Sequence, residues 1–287
     1  MVEKVKGFSA GILVNGMPKA GTNLVNSVLS LIPGLHERKK NTRLILNTGV
    51  LARLDNLQTM LLEQFGQETF VYGVDWPRKI LTSRLSRVLG RLHSDEYMQA
   101  HIPCSKEASE VIKATRTRFV VVLRDPRAVA VSHMRYIMQN KAHFLHDAYQ
   151  HMEDNHERLY HSIVGLSTIN QGPFLLNIRE RIYSMVRWED FFPGHTVYFE
   201  KLVGTKGGGS DDDQISEIER LFEIVDISPV PELIENISKN VFGIGATFRS
   251  GKVSGWEEEF SPEHIQAFKE TTGDLLQILG YESDSNW

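Results

Sequence analysis

The sequence predicts an α/β protein built on a central parallel β-sheet with helices on its faces. Three observations carry this expectation. The apolar run Ile12-Leu13-Val14 leads into the glycine-bearing stretch Gly16-Met17-Pro18-Lys19-Ala20-Gly21-Thr22, and a helical pattern follows from Asn23 to about Leu31. The densest β signal, Phe119-Val120-Val121-Val122-Leu123, runs directly into Arg124-Asp125-Pro126-Arg127 and another helical segment. Between that strand and a weaker one at Tyr97–Ala100 lies a helical segment, Lys106–Ala114, of the kind that crosses over between parallel strands. Strands that are apolar at successive positions belong to sheets covered on both faces.

Composition narrows the class. The chain has 287 residues, 41% of them hydrophobic, enough for a substantial core and read as one domain over residues 1–287. A formal net charge of −4 carries no global basic bias of the kind nucleic-acid binding uses, so no nucleic-acid partner is expected. Cys104 is the only cysteine, which rules out an intrachain disulfide framework and fits a reducing compartment. Met1–Ala10 lacks the apolar core of a signal peptide, and the apolar runs are too short to span a bilayer. The expectation is a cytoplasmic protein with no membrane partner.

The elements follow in order. The first strand runs over Phe8–Val14 and opens into the loop at Gly16–Thr22. Strand, glycine loop and helix N-terminus together present backbone N–H groups to an anion, although an ordinary strand-to-helix turn has the same outline. Gly16 and Gly21 have the outer spacing of GxxxxGK[ST], but the lysine, Lys19, lies inside the loop and Thr22 follows Gly21 directly. The basic residues His36, Arg38, Lys39, Lys40 and Arg43 read as a solvated connection rather than a nucleotide contact, and Leu44–Phe65 as mainly helical. A short strand over Phe70–Val74 is turned by Asp75-Trp76-Pro77, since proline disfavours helical geometry before it. Asp75 reads as a cap of the following turn, with a substrate contact as the second reading.

His101-Ile102-Pro103 follows the strand at Tyr97–Ala100. Cys104 beside it reads as inert local packing. After the strand at Arg118–Leu123, Asp125 caps the next helix and Pro126 takes its first position. The segment from Asn140 to Arg187 is polar and largely helical; His143, His146, His151, His156 and His161 have no metal-ligand spacing and read as a histidine-rich surface. Ser167–Pro173 interrupts the segment as a candidate lid. A late strand covers His195–Phe199, a flexible turn Gly207–Ser210 precedes the acidic run Asp211–Asp213, and helices follow at Gln214–Val225 and Pro231–Lys239. Ser261 caps a final helix that ends near Leu279, before Gly280.

Four of these stretches together resemble the PAPS-dependent sulfotransferase family, whose sulfuryl donor is 3′-phosphoadenosine 5′-phosphosulfate. Pro18-Lys19-Ala20-Gly21-Thr22-Asn23 is similar to its 5′-phosphosulfate loop, Pro-Lys-Ser-Gly-Thr-Thr, with Ala20, Asn23 and Leu24 replacing Ser, Thr and Trp. His101-Ile102-Pro103 resembles the segment whose histidine takes the acceptor's proton. Arg124-Asp125-Pro126-Arg127 with Ser132 resembles the 3′-phosphate motif, and Arg249-Ser250-Gly251 up to Trp256 the loop that closes over that phosphate, with Ser250 in place of Lys. Glu200-Lys201-Leu202 is similar to a Tyr-Glu-Asp-Leu segment with its acidic residue reversed to Lys201, and Glu200 is assigned a network role.

The resemblance implies the P-loop sulfotransferase fold, PAPS as donor and PAP as product. It implies His101 and Lys19 as catalytic residues, and Lys19, Ala20, Gly21, Thr22, Asn23, Arg124, Ser132, Arg249, Ser250 and Gly251 as the cofactor site. A helical region over residues 134–190 is expected to bind the acceptor, a small molecule with a hydroxyl or amine. Asp75 can supply an acidic contact there, which favours a positively charged acceptor. No metal is required by these motifs. The alternatives are a catalytically inactive PAP-binding module and an NTP-dependent small-molecule kinase, the latter lacking a Walker-type lysine and a clear magnesium-binding acid.

Overall fold

The computed structural model describes residues 9–38, 58–167, 174–228, 230–242 and 253–287. Five strands form one sheet in the order β2-β5-β1-β6-β7: β1 is Ile12–Gly16, β2 His36–Glu37, β5 Glu96–Ala100, β6 Arg118–Leu123 and β7 Thr196–Tyr198. Every pairing in this sheet is parallel. The segment expected as a strand at Phe70–Val74 is β3, Thr69–Tyr72. It stands outside the main sheet in an antiparallel ribbon with β4, Arg78–Leu81, which the sequence reading did not separate from the turn before it.

The sheet is buried on both faces because successive side chains alternate between two cores. Leu13, Met98, Phe119 and Val121 enter one core, with α3 (Lys106–Ala114), α4 (Pro126–Gln139) and the helices of the 140–187 region. Ile12, Val14, Tyr97, Val120 and Val122 enter the other, with α1 (Thr22–Ser30) and the helix Asp211–Ile224. A further helix, α2 (Thr82–Leu89), lies between the ribbon and β5.

Local chemistry sets the boundaries. Ser105 accepts a hydrogen bond from Ala108 N at the start of α3, and Asp125 accepts one from Arg127 N at the start of α4. The final helix divides into Pro262–Thr272 and Leu275–Ile278 because Gly273, at φ +58°, ends the first piece.

Register decides what the elements bring together. Asn15 pairs with Ala100 and Gly16 with Val122, so the loop after β1, His101 after β5 and Arg124 after β6 leave the sheet at one edge. Leu123 pairs with Tyr198, which sets Phe199 and Glu200 beside Arg124. The carboxyl edge of a parallel sheet, where connections diverge to either side of β1, is where open α/β folds bind ligands. Lys39, Lys40, Arg43, most of Leu44–Phe65 and most of the candidate lid Ser167–Pro173 lie outside the described residues.

Candidate active site at the carboxyl edge of the sheet

The loop after β1 is a tight turn in which Ala20 N donates to Met17 O at 3.0 Å. Two residues take the left-handed region, Lys19 at φ +71° and Gly21 at φ +101°. A lysine there is strained, and such strain persists where the surroundings hold it. Gly21 admits no side chain: a Cβ would lie 2.4 Å from the Phe199 ring. Gly21 also makes no side-chain cap, and no acidic residue enters the first turn of α1, so the helix N-terminus keeps its affinity for an anion. Lys19 Nζ lies 4.5 Å from the centre of the Tyr136 ring. Thr22 and Ala20 are buried and Asn23 is exposed.

His101 is fixed by what surrounds it. Its Nδ1 lies 2.6 Å from Gly16 O; a carbonyl only accepts, so Nδ1 carries the proton and the neutral ring keeps its lone pair on Nε2. Burial holds the imidazole below the ordinary histidine range; the Gly16 hydrogen bond and Asp75 oppose the shift and Lys19 adds to it. The ring is thus a neutral base near pH 7. Gln99, one strand position before Ala100, donates from Nε2 to Thr22 Oγ1 at 2.7 Å and faces His101 Nε2 at 3.5 Å, while its Oε1 accepts from Asn26. Asn15 locks the next residue by exchanging hydrogen bonds with both backbone groups of Ile102, and Trp188 Nε1 donates to the same carbonyl.

Arg124 follows β6. Its guanidinium lies 4.1 Å from the centre of the Phe199 ring, and Nη1 reaches Lys19 O at 3.4 Å, tying Arg124 to the first loop. Burial lowers its pKa, and Glu200, Asp125 and Tyr281 offset that. Glu200 accepts from Asp125 N at 2.9 Å, which supports the network role expected of it. Ser132 lies in the second turn of α4, half-buried. Arg249, Ser250 and Gly251 lie outside the described residues.

Asp75 does not cap the turn after it. It is buried, and its Oδ2 lies 2.9 Å from His133 Nε2 and its Oδ1 3.6 Å from Arg181 Nη1. Burial raises this carboxyl, but His133 and Arg181 outweigh it and hold the group below the usual carboxylate range. Arg181 Nη1 also donates to His133 Nδ1 at 3.3 Å, so the neutral His133 ring carries its proton on Nε2 and donates it to Asp75. The expectation of a cationic acceptor loses its basis here, because Arg181 already balances the carboxylate inside the protein.

The histidines of the 140–187 region are not uniformly a surface. His146 is buried with Nδ1 at 2.9 Å from Ile137 O, and His143 joins the Asp75–His133 group, with candidate ligand atoms of the three within 4.8 Å of one another. Both ring nitrogens of His133 are already committed within the protein, Nδ1 to Arg181 and Nε2 to Asp75.

The structure therefore brings Lys19, Thr22, His101 and Arg124 to one edge and sets the Asp75 network behind them. Sequence reasoning missed Gln99, His133, Tyr136 and Arg181. Gln99 had a legible signal, a polar residue inside a buried strand; the other three become site residues only through helix packing.

The comparisons with known proteins bear on the fold and the family. The sequence profile described as "Sulfotransferase domain" matches residues 10–203. No curated protein sequence matches the chain. Among solved structures, mouse sulfotransferase SULT7A1 complexed with PAP superposes with a TM-score of 0.57 at 13% identity, covering 95% of this chain and 88% of that one. That likeness is one of fold, with a parallel sheet flanked by helices in both. The profile spans more than half of the chain, so the protein belongs to the sulfotransferase domain family, whose chemistry is sulfuryl transfer.

Proposed function

We propose that this protein transfers a sulfuryl group from PAPS to a hydroxyl or amine of a small-molecule acceptor, releasing PAP. One observation carries the reading: a neutral imidazole with its lone pair on Nε2, a loop lysine and a second anchored cation leave the sheet at a single edge. The fit to the donor rests on the α1 N-terminus without a side-chain cap, on Gly21, whose place a Cβ would fill, and on Arg124 beside the same loop. When bound, PAPS supplies an activated sulfuryl group on a phosphate leaving group. The backbone amides at Ala20–Asn23 and the Thr22 hydroxyl hold the 5′-phosphosulfate, and Arg124, Ser132 and the Arg249-Ser250-Gly251 segment hold the 3′-phosphate. His101 Nε2 accepts the acceptor's proton as the acceptor oxygen or nitrogen bonds to sulfur. Lys19 offsets the charge that builds on the departing bridging oxygen. Positioning and directed charge supply the catalysis.

The acceptor site is proposed between the ribbon and residues 134–190, within one domain spanning 1–287. A row of rings supports a small, planar acceptor: Tyr136 lies against Lys19, His143 is 5.5 Å from Tyr136, Phe144 4.8 Å from His143, and Trp76, 49% exposed, 4.7 Å from Phe144. Asp75 borders this row and is proposed to orient a hydroxyl rather than a cation. No described helix is long and apolar enough to cross a membrane. With one cysteine in the chain, the proposal places the reaction in the cytoplasm.

Calorimetry tests the cofactor: PAP is expected to bind more tightly than adenosine 5′-phosphate, and Arg124→Ala to reduce that preference by removing charged hydrogen bonds. Equal binding by the wild type overturns the assignment. A PAPS-dependent mass-spectrometric screen of metabolite extracts, tyrosine-containing peptides and polysaccharides tests the acceptor, each transfer adding about 80 Da. Modification of peptides or polysaccharides alone overturns the small-molecule reading. Turnover with ATP instead of PAPS would favour the kinase alternative. PAP binding without transfer to any pool would favour the inactive module.

A further inference from the structure

We propose that Tyr281, acting through Glu200, is a positioning residue that sets Arg124 for the 3′-phosphate; the inference rests on the cofactor reading above. Glu200 has both carboxylate oxygens committed. Oε1 accepts from Asp125 N and Oε2 from the Tyr281 hydroxyl, each at 2.9 Å, across 75 and 81 residues of sequence. Asp125 N belongs to the peptide unit that leaves Arg124, so Glu200 holds the backbone on which the guanidinium is mounted. Glu200 also follows Phe199, the ring on which that guanidinium rests at 4.1 Å.

The electrostatics point the same way. Burial raises the Glu200 carboxyl above the ordinary carboxylate range, and the Asp125 N–H and the Arg124 charge offset only part of this. A hydroxyl donated to the ionised carboxylate favours its charged form. Burial, with Glu200 and Asp125 nearby, raises the Tyr281 phenol well above its ordinary value, so it remains a donor throughout the neutral range. Without that donor, Glu200 loses a charged hydrogen bond, and its hold on Asp125 N and its counter-charge to Arg124 both weaken.

The segment that carries Tyr281 does not depend on this one bond. Arg127, at the start of α4, pairs with Asp125 at 2.8 Å and with Glu282, and its guanidinium lies 4.0 Å from the Trp256 ring and 4.6 Å from the Trp287 ring. These contacts keep residues 281–287 docked when the Tyr281 hydroxyl is removed, so Tyr281→Phe is expected to fold.

The test is calorimetry on the full chain with PAP and adenosine 5′-phosphate, which differ in the 3′-phosphate. Tyr281→Phe is expected to weaken PAP about tenfold, the scale of one lost hydrogen bond to a charged group, and to leave adenosine 5′-phosphate unchanged. Glu200→Gln is expected to lower the same ratio, and the double variant to lose no more than Glu200→Gln alone, because the two residues act in series. An unchanged ratio in Tyr281→Phe overturns the inference while the cofactor reading stands. Equal weakening of both nucleotides overturns it as well, by showing a general structural role. Additive losses in the double variant overturn the route through Glu200. A wild type with no preference for PAP overturns the cofactor reading, and the inference with it.

Discussion

Replacing His101 with Asn isolates the proposed base from the rest of the site. Asn can donate its amide to Gly16 O, where His101 Nδ1 now donates at 2.6 Å, but it offers no lone pair that takes a proton at neutral pH. The loop, Arg124 and the sheet edge stay in place, so PAP affinity is expected to remain that of the wild type. Loss of a positioned general base removes roughly 100-fold in rate, equivalent to about 2.7 kcal/mol of transition-state stabilisation. The assay is single-turnover transfer from PAPS to an acceptor found in the screen, with PAP binding measured on the same sample. The pH profile gives a second check. His101 must be neutral to act, and burial shifts it down, so wild-type kcat/KM should rise with pH through a limb below the ordinary histidine value of about 6.5. That limb should vanish in His101→Asn. Near-wild-type turnover by a folded, PAP-binding variant would refute the assignment; a wild-type limb above 6.5 would refute the burial argument.

Gly21→Ala forces a side chain into the left-handed region and drives its Cβ against the Phe199 ring that supports Arg124; PAP affinity should fall roughly 5- to 30-fold, the equivalent of the 1–2 kcal/mol that backbone strain alone costs, and wild-type affinity would contradict the cradle. Asp75→Asn leaves the buried Arg181 without its carboxylate and should cost on the order of 3 kcal/mol, with urea denaturation as the readout and recovery expected in an Asp75→Asn, Arg181→Met double variant. Stability should decline as pH falls from about 6.5 toward 4. Burial lowers His143 to about 4 in the folded protein, so in this window the unfolded chain binds the proton first. The stabilisation is complete above the unfolded value and disappears as pH falls through the folded one; thermal melts in which His143→Gln leaves this slope unchanged would exclude His143 as its source.

How much was legible follows from which interactions are local. The loop at Gly16–Thr22, the strand at Arg118–Leu123 and the Asp125–Pro126 helix start are short-range patterns, and the structure reproduces them almost residue for residue. The strand at Thr69–Tyr72 was also legible, but its antiparallel partner was not, because Arg78–Leu81 has little apolar alternation and is held by pairing. Asp75 read as a turn cap because a polar residue before Trp-Pro usually serves locally. His133 and Arg181, distant in sequence, supplied the partners that bury it.

The sequence by itself determined the α/β class and the order of the glycine-bearing loop, His101 and Arg124 along the chain, stretches whose resemblance to the sulfotransferase family pointed to sulfuryl transfer. Each depends on backbone preference and side-chain chemistry within a few residues. Only the tertiary structure decided that these residues share one edge, that His101 carries its proton on Nδ1, that Asp75 is neutralised by Arg181, and that Tyr281 reaches Glu200 beside Arg124. Those properties belong to pairs of groups brought within hydrogen-bond or ion-pair distance by strand register and helix packing, and a linear pattern carries no information on which distant groups will meet.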